Sequence, residues 1–398
     1  MSDALAVLRT PATIRERCTN LLRAVETGRS AHFTLERERL GAVAQRVARL
    51  TRTRFADGRI PYHSRWRHFE AGGVDRKAEL DARLAGCDAA TLARARIDLA
   101  LISVLLDAGA GPQWRYAEPE SGQTFARSEG LAVASFRAFM AGRWSSDAAQ
   151  PCRVDAQALM QIDVASLAQD FQAGADNPLV GLEGRAALLR RLGHALGADG
   201  ATARPGEMYD ALSAAPLDAQ RILGWLLDRF SAIWPSGQSL GGMPLGDVWP
   251  HELAGGDGPS AGWVPFHKLS QWLTYSLLEP FEWAGVTVHG LDALTGLPEY
   301  RNGGLLLDGG VIVPRDAAFA QRPRHPAEAW VVEWRALTVG LIDELAPIVR
   351  GELGLTPAQM PLACVLEGGT WAAGREIAAE RRPGGAPPVA IDSDGTIF

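Results

Sequence analysis

Apolar residues recur along this chain mostly with helical spacing. Between Leu40 and Leu50 they fall at i, i+3, i+7 and i+10 with charged residues between them, which predicts an amphipathic helix. The same criterion predicts further helices over 91–107, 155–172, 184–197, 216–233, 265–279 and 330–346. Strand signals are short and cover 286–289, 305–308 and 311–313. Because no strand alternates regularly with a helix, we expect a mostly α fold with a few short strands.

Neither a repeat nor a linker divides the chain clearly. Its 398 residues are 47% hydrophobic, enough to bury a sizeable core. We therefore expect one large helical globule, a single domain over 1–398. Residues 1–150 would form an N-terminal helical layer within it, and residues 151–398 would form the catalytic part.

Charge and cysteine usage narrow the class of protein. The 40 basic and 46 acidic residues give a net charge of −6, which argues against nucleic acid as a partner but allows a small phosphorylated ligand. The four cysteines lie far apart, so no zinc ribbon or disulfide framework is expected. The N-terminal stretch contains three arginines, unlike a signal peptide, and the apolar run 99–106 is too short to span a bilayer. We expect a cytoplasmic protein that does not bind membranes.

The predicted helix 265–279 carries a polar strip. Lys268, Gln271 and Tyr275 are spaced i, i+3 and i+7, and His267 is an i+4 neighbour of Gln271. Lys268 is one of only two lysines in the chain. A solvated helix face would explain the strip, and so would a face that binds substrate through Lys268, His267 and Gln271.

The segment RIPYHSRWRHF (59–69) combines arginines with aromatic side chains. Arg65 and Arg67 flank Trp66, and guanidinium groups suit phosphate or carboxylate. Both arginines are therefore candidate substrate ligands. The alternative is a solvated basic face anchored by Trp66 and Phe69.

Three carboxylates are candidate catalytic groups. Glu299 lies between Pro298 and Tyr300, where the sequence predicts a loop or the start of a strand. The alternative is that Glu299 only forms a local ion pair with Arg301. Glu333 lies among apolar residues, where carboxylates are rare unless paired or functional. Near the C-terminus, Glu367 and Trp371 are spaced i and i+4 around a glycine pair, which also suits helix packing.

Familiar cofactor and metal motifs are missing from the sequence. It has no phosphate-binding G-x-x-x-x-G-K-[ST], no dinucleotide-binding G-x-G-x-x-G after a strand and no H-E-x-x-H. The eight histidines are scattered. We expect no cofactor and no metal site.

Long motifs throughout the chain resemble the uracil-catabolism (URC/Urg) family of bacteria and fungi. They include IPYHSRWRHFEAGGVDR, RSEGLAVASF, LGDVWPH, VPFHKLSQWLTYSLLEP, LTGLPEYRNGGLLLDGG, VEWRALTV, EGGTWAAGRE and the terminal SDGTIF. The resemblance implies a place in a uracil breakdown route whose intermediates include ribosylurea.

Residues 264–398 also resemble, more distantly, the queuosine-salvage proteins, which hydrolyse the N-glycosidic bond of queuosine 5′-phosphate. The similar stretches are FHKLSQ, PEYR, VEWR and LEGGTW, in the same order. This resemblance implies a helical, glycosylase-like fold with Glu299 at the position of the family's catalytic aspartate. Glu299 is one methylene longer, and Asn302-Gly303-Gly304 changes the flanking pattern, so a different leaving group is expected.

Together these features predict an N-ribosyl hydrolase that cleaves ribosylurea or its 5′-phosphate to urea and the sugar. Glu299 would stabilise an oxocarbenium-like state, with Tyr300 and Arg301 orienting it or the sugar. Lys268, with Arg65 and Arg67, would bind a phosphate. Glu333 and Glu367 would bind hydroxyls or assist proton transfer. Trp371 would form one wall of the pocket.

Two other classes remain open from the sequence. One is a metal-dependent amidohydrolase or deaminase acting on an opened pyrimidine, with ligands from His63, His68, His251 or His267. The other is a non-enzymatic subunit of the pathway. Activity after chelation would separate the glycosidase from the metalloenzyme.

Overall fold

The computed structural model describes residues 2–107, 109–214, 216–234 and 238–392 of the protein, so the terminal SDGTIF motif lies outside the described residues. Helices dominate, and the expected mostly α fold is confirmed. They are α1 Ser2–Leu8, α2 Pro11–Glu26, α3 Leu40–Arg54, α4 Arg65–Phe69, α5 Arg76–Arg83, α6 Ala89–Leu105, α7 Arg127–Met140, α8 Ala156–Met160, α9 Val164–Asp170, α10 Leu182–Gly197, α11 Met208–Leu212, α12 Ala219–Phe230, α13 Lys268–Trp283, α14 Tyr300–Asp308, α15 Ala329–Leu353, α16 Leu362–Val365 and α17 Trp371–Arg381. A π-helical turn, Leu366–Thr370, joins α16 to α17.

The strands are short and form two-stranded sheets. They are β1 Phe33–Leu35, β2 Tyr116–Glu118, β3 Gln123–Phe125, β4 Leu217–Asp218, β5 Ser239–Leu240, β6 Met243–Pro244, β7 Val248–Pro250, β8 Trp263–Pro265, β9 Val288–His289 and β10 Ile312–Pro314. The pair β4–β9 is parallel, and the pairs β1–β10, β2–β3, β5–β6 and β7–β8 are antiparallel. Two of the three strand predictions are met in part, by β9 and β10.

The third strand prediction, over 305–308, is wrong because these residues complete α14. Gly303 allows that helix to pack closely, since a Cβ atom there would lie 2.8 Å from the indole of Trp334 on α15. Leu305 and Leu306 are buried in the same helix. A short run of leucines between glycines fits a buried strand and a buried helix equally, because apolar periodicity does not separate the two over so few residues.

Aspartate caps divide another predicted helix in two. The expected helix over 155–172 is α8 followed by α9, because Asp155 and Asp163 each begin a new helix. Their carboxylates accept the backbone N–H groups of Ala158 and Ser166.

The chain forms two compact units. Unit 1 contains Met1–His63, Ser236–Gln271 and Gly290–Ser393, and unit 2 contains Ser64–Pro235 and Trp272–His289. The expectation of a single domain with an N-terminal layer stays a prediction.

The core of unit 1 is built around α15, which packs against α2 and α3. Residues along most of its length are buried, from Trp330 to Val349. Helix α14 packs against both α15 and α17. These contacts bring the N-terminus of α14, the end of α3 and the π-helical turn into one unit.

The core of unit 2 is built around α6, which packs against α7. Its second half is buried on every face, from Ile97 to Leu105. A helix that is apolar all round is typical of a protein interior. Among the described residues, no helix combines the length and apolarity needed to cross a membrane.

Candidate active site

A buried aspartate determines where α13 begins. Asp247 accepts the backbone N–H of Lys268 at 3.0 Å, and its two carboxylate oxygens take the guanidinium of Arg335 at 2.7 and 2.8 Å. Burial opposes ionisation of Asp247, but Arg335 and these hydrogen bonds lower its pKa to about 2. The helix starts three residues after Pro265, following His267 with its positive φ of 46°. Lys268 is thereby placed at the first position of a firmly held helix.

Glu299 caps the N-terminus of α14 and does not lie within a loop. Its Oε2 accepts the backbone N–H of Arg301 at 2.6 Å, and its Oε1 accepts that of Asn302 at 2.7 Å. The carbonyl oxygen of the preceding Pro298 accepts a 3.3 Å hydrogen bond from Arg335. Glutamate is not among the preferred capping residues. Its carboxylate is nevertheless held at both oxygens by rigid backbone donors.

The environment of Glu299 is both buried and electropositive. Burial raises the pKa of Glu299 above its ordinary value. The two backbone donors and the charges of Lys268 and His63 oppose that rise without cancelling it. Lys268, His63 and Glu299 therefore belong to one electrostatic cluster within unit 1.

A second carboxylate, Glu367, joins this cluster through His63. Its Oε2 accepts a hydrogen bond from Nδ1 of His63 at 2.8 Å, and its Oε1 accepts one from Nη2 of Arg54 at 2.7 Å. Burial would raise the pKa of Glu367, but His63 and Arg54 outweigh it and lower that pKa. Glu367 is therefore ionised and paired on both oxygens.

The π-helical turn places Glu367 where these partners can reach it. A Cβ atom at Gly369 would lie 2.6 Å from the carbonyl oxygen of Val47 on α3, so the two backbones touch. Gly368 likewise faces Thr51 of α3. The glycine pair thus serves helix packing, as the sequence allowed, and the packing positions Glu367. Such π turns occur frequently at functional sites.

Aromatic side chains border the cluster. The ring centroids of His63 and Trp371 are 6.5 Å apart, and the guanidinium of Arg301 lies 6.0 Å from the Trp371 ring. Arg301 also lies 4.8 Å from the ring of Tyr300 and donates to the carbonyl of Gly385. Glu299 contacts Arg301 through the backbone, so the local ion pair considered from the sequence is replaced by a helix cap.

The other residues of the α13 strip are buried. Gln271 is fully buried and donates through Nε2 to Thr295 at 3.0 Å, while its Oε1 has no hydrogen-bond partner among the described residues. His267 is buried, and its Nε2 lies 2.9 Å from the carbonyl oxygen of Leu8. Tyr275 is also fully buried. The strip is therefore not a solvated helix face.

Glu333 lies in a different polar cluster of unit 1. Ser30 donates to its Oε1, and Nε2 of His251 lies 3.7 Å from its Oε2. Burial raises the pKa of Glu333 to about 7. Among the described residues, no hydrogen bond or ion pair joins Glu333 to Glu299 or Glu367.

Arg65 and Arg67 belong to unit 2, where carboxylates neutralise both. Arg65 is fully buried, lies 3.1 Å from Asp107 and donates to Ser103 at 2.6 Å. Arg67 donates to Glu279 at 2.8 Å. Arg65 and Arg67 therefore do not form a solvated basic face, since both guanidinium groups form internal ion pairs. Their role as phosphate ligands stays a prediction.

Two members of the Glu299 cluster, Arg54 and His63, were not among the site residues predicted from the sequence, and neither was Asp247 at the start of α13. Arg54 lies in none of the recognised motifs, whereas Asp247 lies in LGDVWPH, and His63 lies in IPYHSRWRHF and was considered as a possible metal ligand. His63 and Glu367 are 304 positions apart, so no spacing rule could pair them. Across the described residues, no group of three or more histidine, cysteine, aspartate or glutamate side chains is arranged to hold a metal ion.

Comparison with known proteins places the chain in a family. Residues 7–398 match the family described as "Protein of unknown function (DUF1688)". The chain belongs to this family. It is 37% identical to Uracil catabolism protein 4 of Lachancea kluyveri and 38% identical to Protein urg3 of Schizosaccharomyces pombe, with 100% of both chains covered in each case. The resemblance to the uracil-catabolism family is confirmed, whereas that to the queuosine-salvage proteins stays a prediction.

Proposed function

We propose that this protein acts in uracil catabolism as an N-ribosyl hydrolase, releasing urea from ribosylurea or its 5′-phosphate. The pathway is supported by the full-length relative named Uracil catabolism protein 4. The reaction is supported chiefly by the placement of Glu299, a buried carboxylate held by two backbone donors beside Lys268 and His63.

Glu299 fits the central demand of this reaction. As the bond between the anomeric carbon and nitrogen breaks, positive charge develops on the sugar. A carboxylate already oriented by Arg301 and Asn302 needs no rearrangement to stabilise that charge or to capture the carbon covalently. Burial strengthens the interaction, because the site is less polarisable than water.

The neighbouring side chains fit the remaining parts of such a substrate. Lys268, at the first turn of α13, is the group we assign to a 5′-phosphate. We assign the apolar wall beside the sugar to Trp371. The sugar hydroxyls are assigned to Tyr300 and Arg301, because the guanidinium of Arg301 lies 4.8 Å from the Tyr300 ring and 6.0 Å from the Trp371 ring. Arg65, Arg67, His267 and Glu333 receive no role in this proposal, because each is engaged elsewhere.

The test is a direct assay of purified protein with ribosylurea, ribosylurea 5′-phosphate, uridine and uridine 5′-phosphate. We expect urea and free sugar, or sugar phosphate, from the first pair only. Activity should survive chelation, whereas loss of activity that added metal restores would support the amidohydrolase. Absence of urea from every substrate would overturn the proposal.

A further inference from the structure

N-ribosyl hydrolysis needs a proton donor as well as the carboxylate of Glu299. Breaking the glycosidic bond leaves an electron pair on a urea nitrogen, which is a poor leaving group as an anion. That nitrogen therefore needs a proton as the bond breaks. A carboxylate that stabilises the sugar cation must itself be ionised, so Glu299 has no proton to give.

We propose that His63 is the acid that protonates the leaving nitrogen, with Glu367 and Arg54 as positioning residues. This inference rests on the proposed N-ribosyl hydrolysis. It implies a substrate class in which the leaving group is an amide or urea nitrogen, whose anion is too basic to leave without a proton.

The hydrogen bonds determine which ring nitrogen of His63 can exchange a proton. Glu367 is ionised, because His63 and Arg54 lower its pKa despite burial, so it can only accept. Nδ1 of His63 must then carry hydrogen in the 2.8 Å bond to Glu367. In this proposal Nε2 is the ring atom that exchanges a proton with the substrate, as in other histidines oriented by a carboxylate.

The backbone restrains His63 as well. Its N–H donates to the carbonyl oxygen of Ala363 at 3.0 Å, just before the π-helical turn that carries Glu367. The imidazole is mostly buried, with a side-chain exposure of 10%. Its charge lowers the pKa of Glu299, which places the two groups within electrostatic range.

Other groups in the cluster are poor proton donors. Arginine does not lose its proton in proteins, and ammonium and phenol groups are weak acids near neutral pH. Glu367 is ionised and paired on both oxygens. Imidazolium therefore matches the task best among the side chains around Glu299.

His63 both gives a proton and regains one in the course of the reaction. The imidazolium of His63 gives its Nε2 proton to the leaving nitrogen, which keeps the electron pair of the broken bond. The neutral imidazole then removes a proton from water as the water oxygen bonds to the anomeric carbon. The products are urea and the sugar, and His63 returns to its protonated form.

The experiment compares two leaving groups on the same ribosyl unit. Ribosylurea requires protonation, whereas an N-ribosyl pyridinium releases a neutral pyridine without a proton. For His63→Gln we expect kcat on ribosylurea to fall about 100- to 10,000-fold. On the pyridinium compound the loss should be less than about threefold, because general acid catalysis contributes nothing there. The ratio of the two rates does not depend on the fraction of protein that is folded.

Three variants act as comparisons. Glu367→Gln should lower the ribosylurea rate selectively, though by less than His63→Gln, because the amide oxygen can still accept from Nδ1. Glu299→Gln should slow both substrates. His251→Gln removes another buried imidazole of unit 1 and should leave the ratio unchanged.

The outcomes separate this inference from the proposed function. If wild-type protein cleaves both compounds and His63→Gln slows them equally, or slows neither, His63 is not the acid while the hydrolase proposal stands. If wild-type protein cleaves neither compound, the hydrolase proposal fails and the role of His63 fails with it.

Discussion

Replacing Glu299 with glutamine tests whether its charge, and not only its helix cap, is needed. The side chain keeps its size but loses the negative charge and one of two acceptor oxygens. The wild-type carboxylate accepts N–H groups at 2.6 and 2.7 Å, and an amide can accept only one of them through oxygen. The variant should therefore lose both stability and turnover, for separate reasons.

The stability loss follows from the cap. One N–H group at the start of α14 is left without its acceptor in a buried place, which costs about 1–3 kcal/mol. Losses at N-caps lie in the same range, typically about 1 kcal/mol. We expect the Tm to fall by a few degrees in thermal unfolding.

The loss of turnover follows from the charge. Removing a preorganised electrostatic group should lower kcat by about 100- to 10,000-fold, equivalent to about 2.7–5.5 kcal/mol of transition-state stabilisation. Binding of substrate should change less. Burial raises the pKa of Glu299 above the ordinary glutamate value of 4.5. The acid limb of the wild-type pH–rate profile, where this carboxylate becomes protonated, should therefore lie above pH 4.5. The variant should lack that limb.

Two further variants separate charge from capping. Glu299→Asp keeps the charge and introduces a preferred N-cap residue, so it should retain stability and more activity than Gln, although the shorter side chain still slows turnover. Asp155→Asn is the matched control in unit 2. Asp155 is fully buried, caps α8, and accepts backbone N–H groups from Ala158 at 3.1 Å and Ser146 at 2.8 Å.

The assay is single-turnover hydrolysis and thermal unfolding on the same preparation of each variant. Asp155→Asn should lower Tm with a near-normal rate. A folded Glu299→Gln variant with normal turnover, or with no greater loss than Asp155→Asn, would remove Glu299 from the mechanism and leave it as a helix cap.

Three more substitutions test the surrounding assignments. Lys268→Met should weaken binding of phosphorylated ligand about 10- to 100-fold in calorimetry, from a charge-assisted contact of about 1.5–3 kcal/mol, and equal loss for the unphosphorylated ligand would show another role. Asp247→Asn should lower the unfolding free energy by about 3–5 kcal/mol at pH 7, because it leaves Arg335 buried without its counter-ion. Since folding depresses the pKa of Asp247 to about 2, its contribution is present above pH 4 and should disappear toward pH 2 in denaturant titrations. Folding raises the pKa of Glu333 from 4.5 to about 7, so wild-type stability should fall as pH rises between those values, and Glu333→Gln should remove that slope.

The helical class and most helices follow from the sequence alone. Apolar periodicity located α10 closely and also located the starts of α3 and α15, because a helix that buries one face repeats its apolar residues about every 3.6 positions. The predicted ends of helices are less accurate where the hydrogen bonds of one side chain, and not the apolar periodicity, determine where a helix begins. Asp163 accepts the N–H of Ser166 and so begins a second helix within one predicted helix. Asp247 accepts the N–H of Lys268, and α13 therefore begins at Lys268 and not at Pro265.

The candidate site was predictable in part. Motif resemblance selected Glu299, Lys268, Glu367 and Trp371, all of which unit 1 contains. Glu299 and Lys268 interact electrostatically, as the proposed chemistry needs. Sequence reasoning could not show that Glu299 caps a helix, because a glutamate after proline resembles a loop residue just as well.

Only the tertiary structure decided the partners of these residues. Gly369 allows α3 and the π-helical turn to touch, and this contact brings Arg54 of α3 to Glu367. A backbone hydrogen bond from His63 to Ala363 holds the imidazole beside Glu367. Glu333 accepts a hydrogen bond from Ser30, a residue 303 positions away, which the sequence could not indicate. Local periodicity tells which side of a helix is buried, but it carries no information about which distant side chain meets that side. Hydrogen-bond partners and pKa shifts depend on contacts between residues that are distant in the sequence, and these contacts form only when the chain folds.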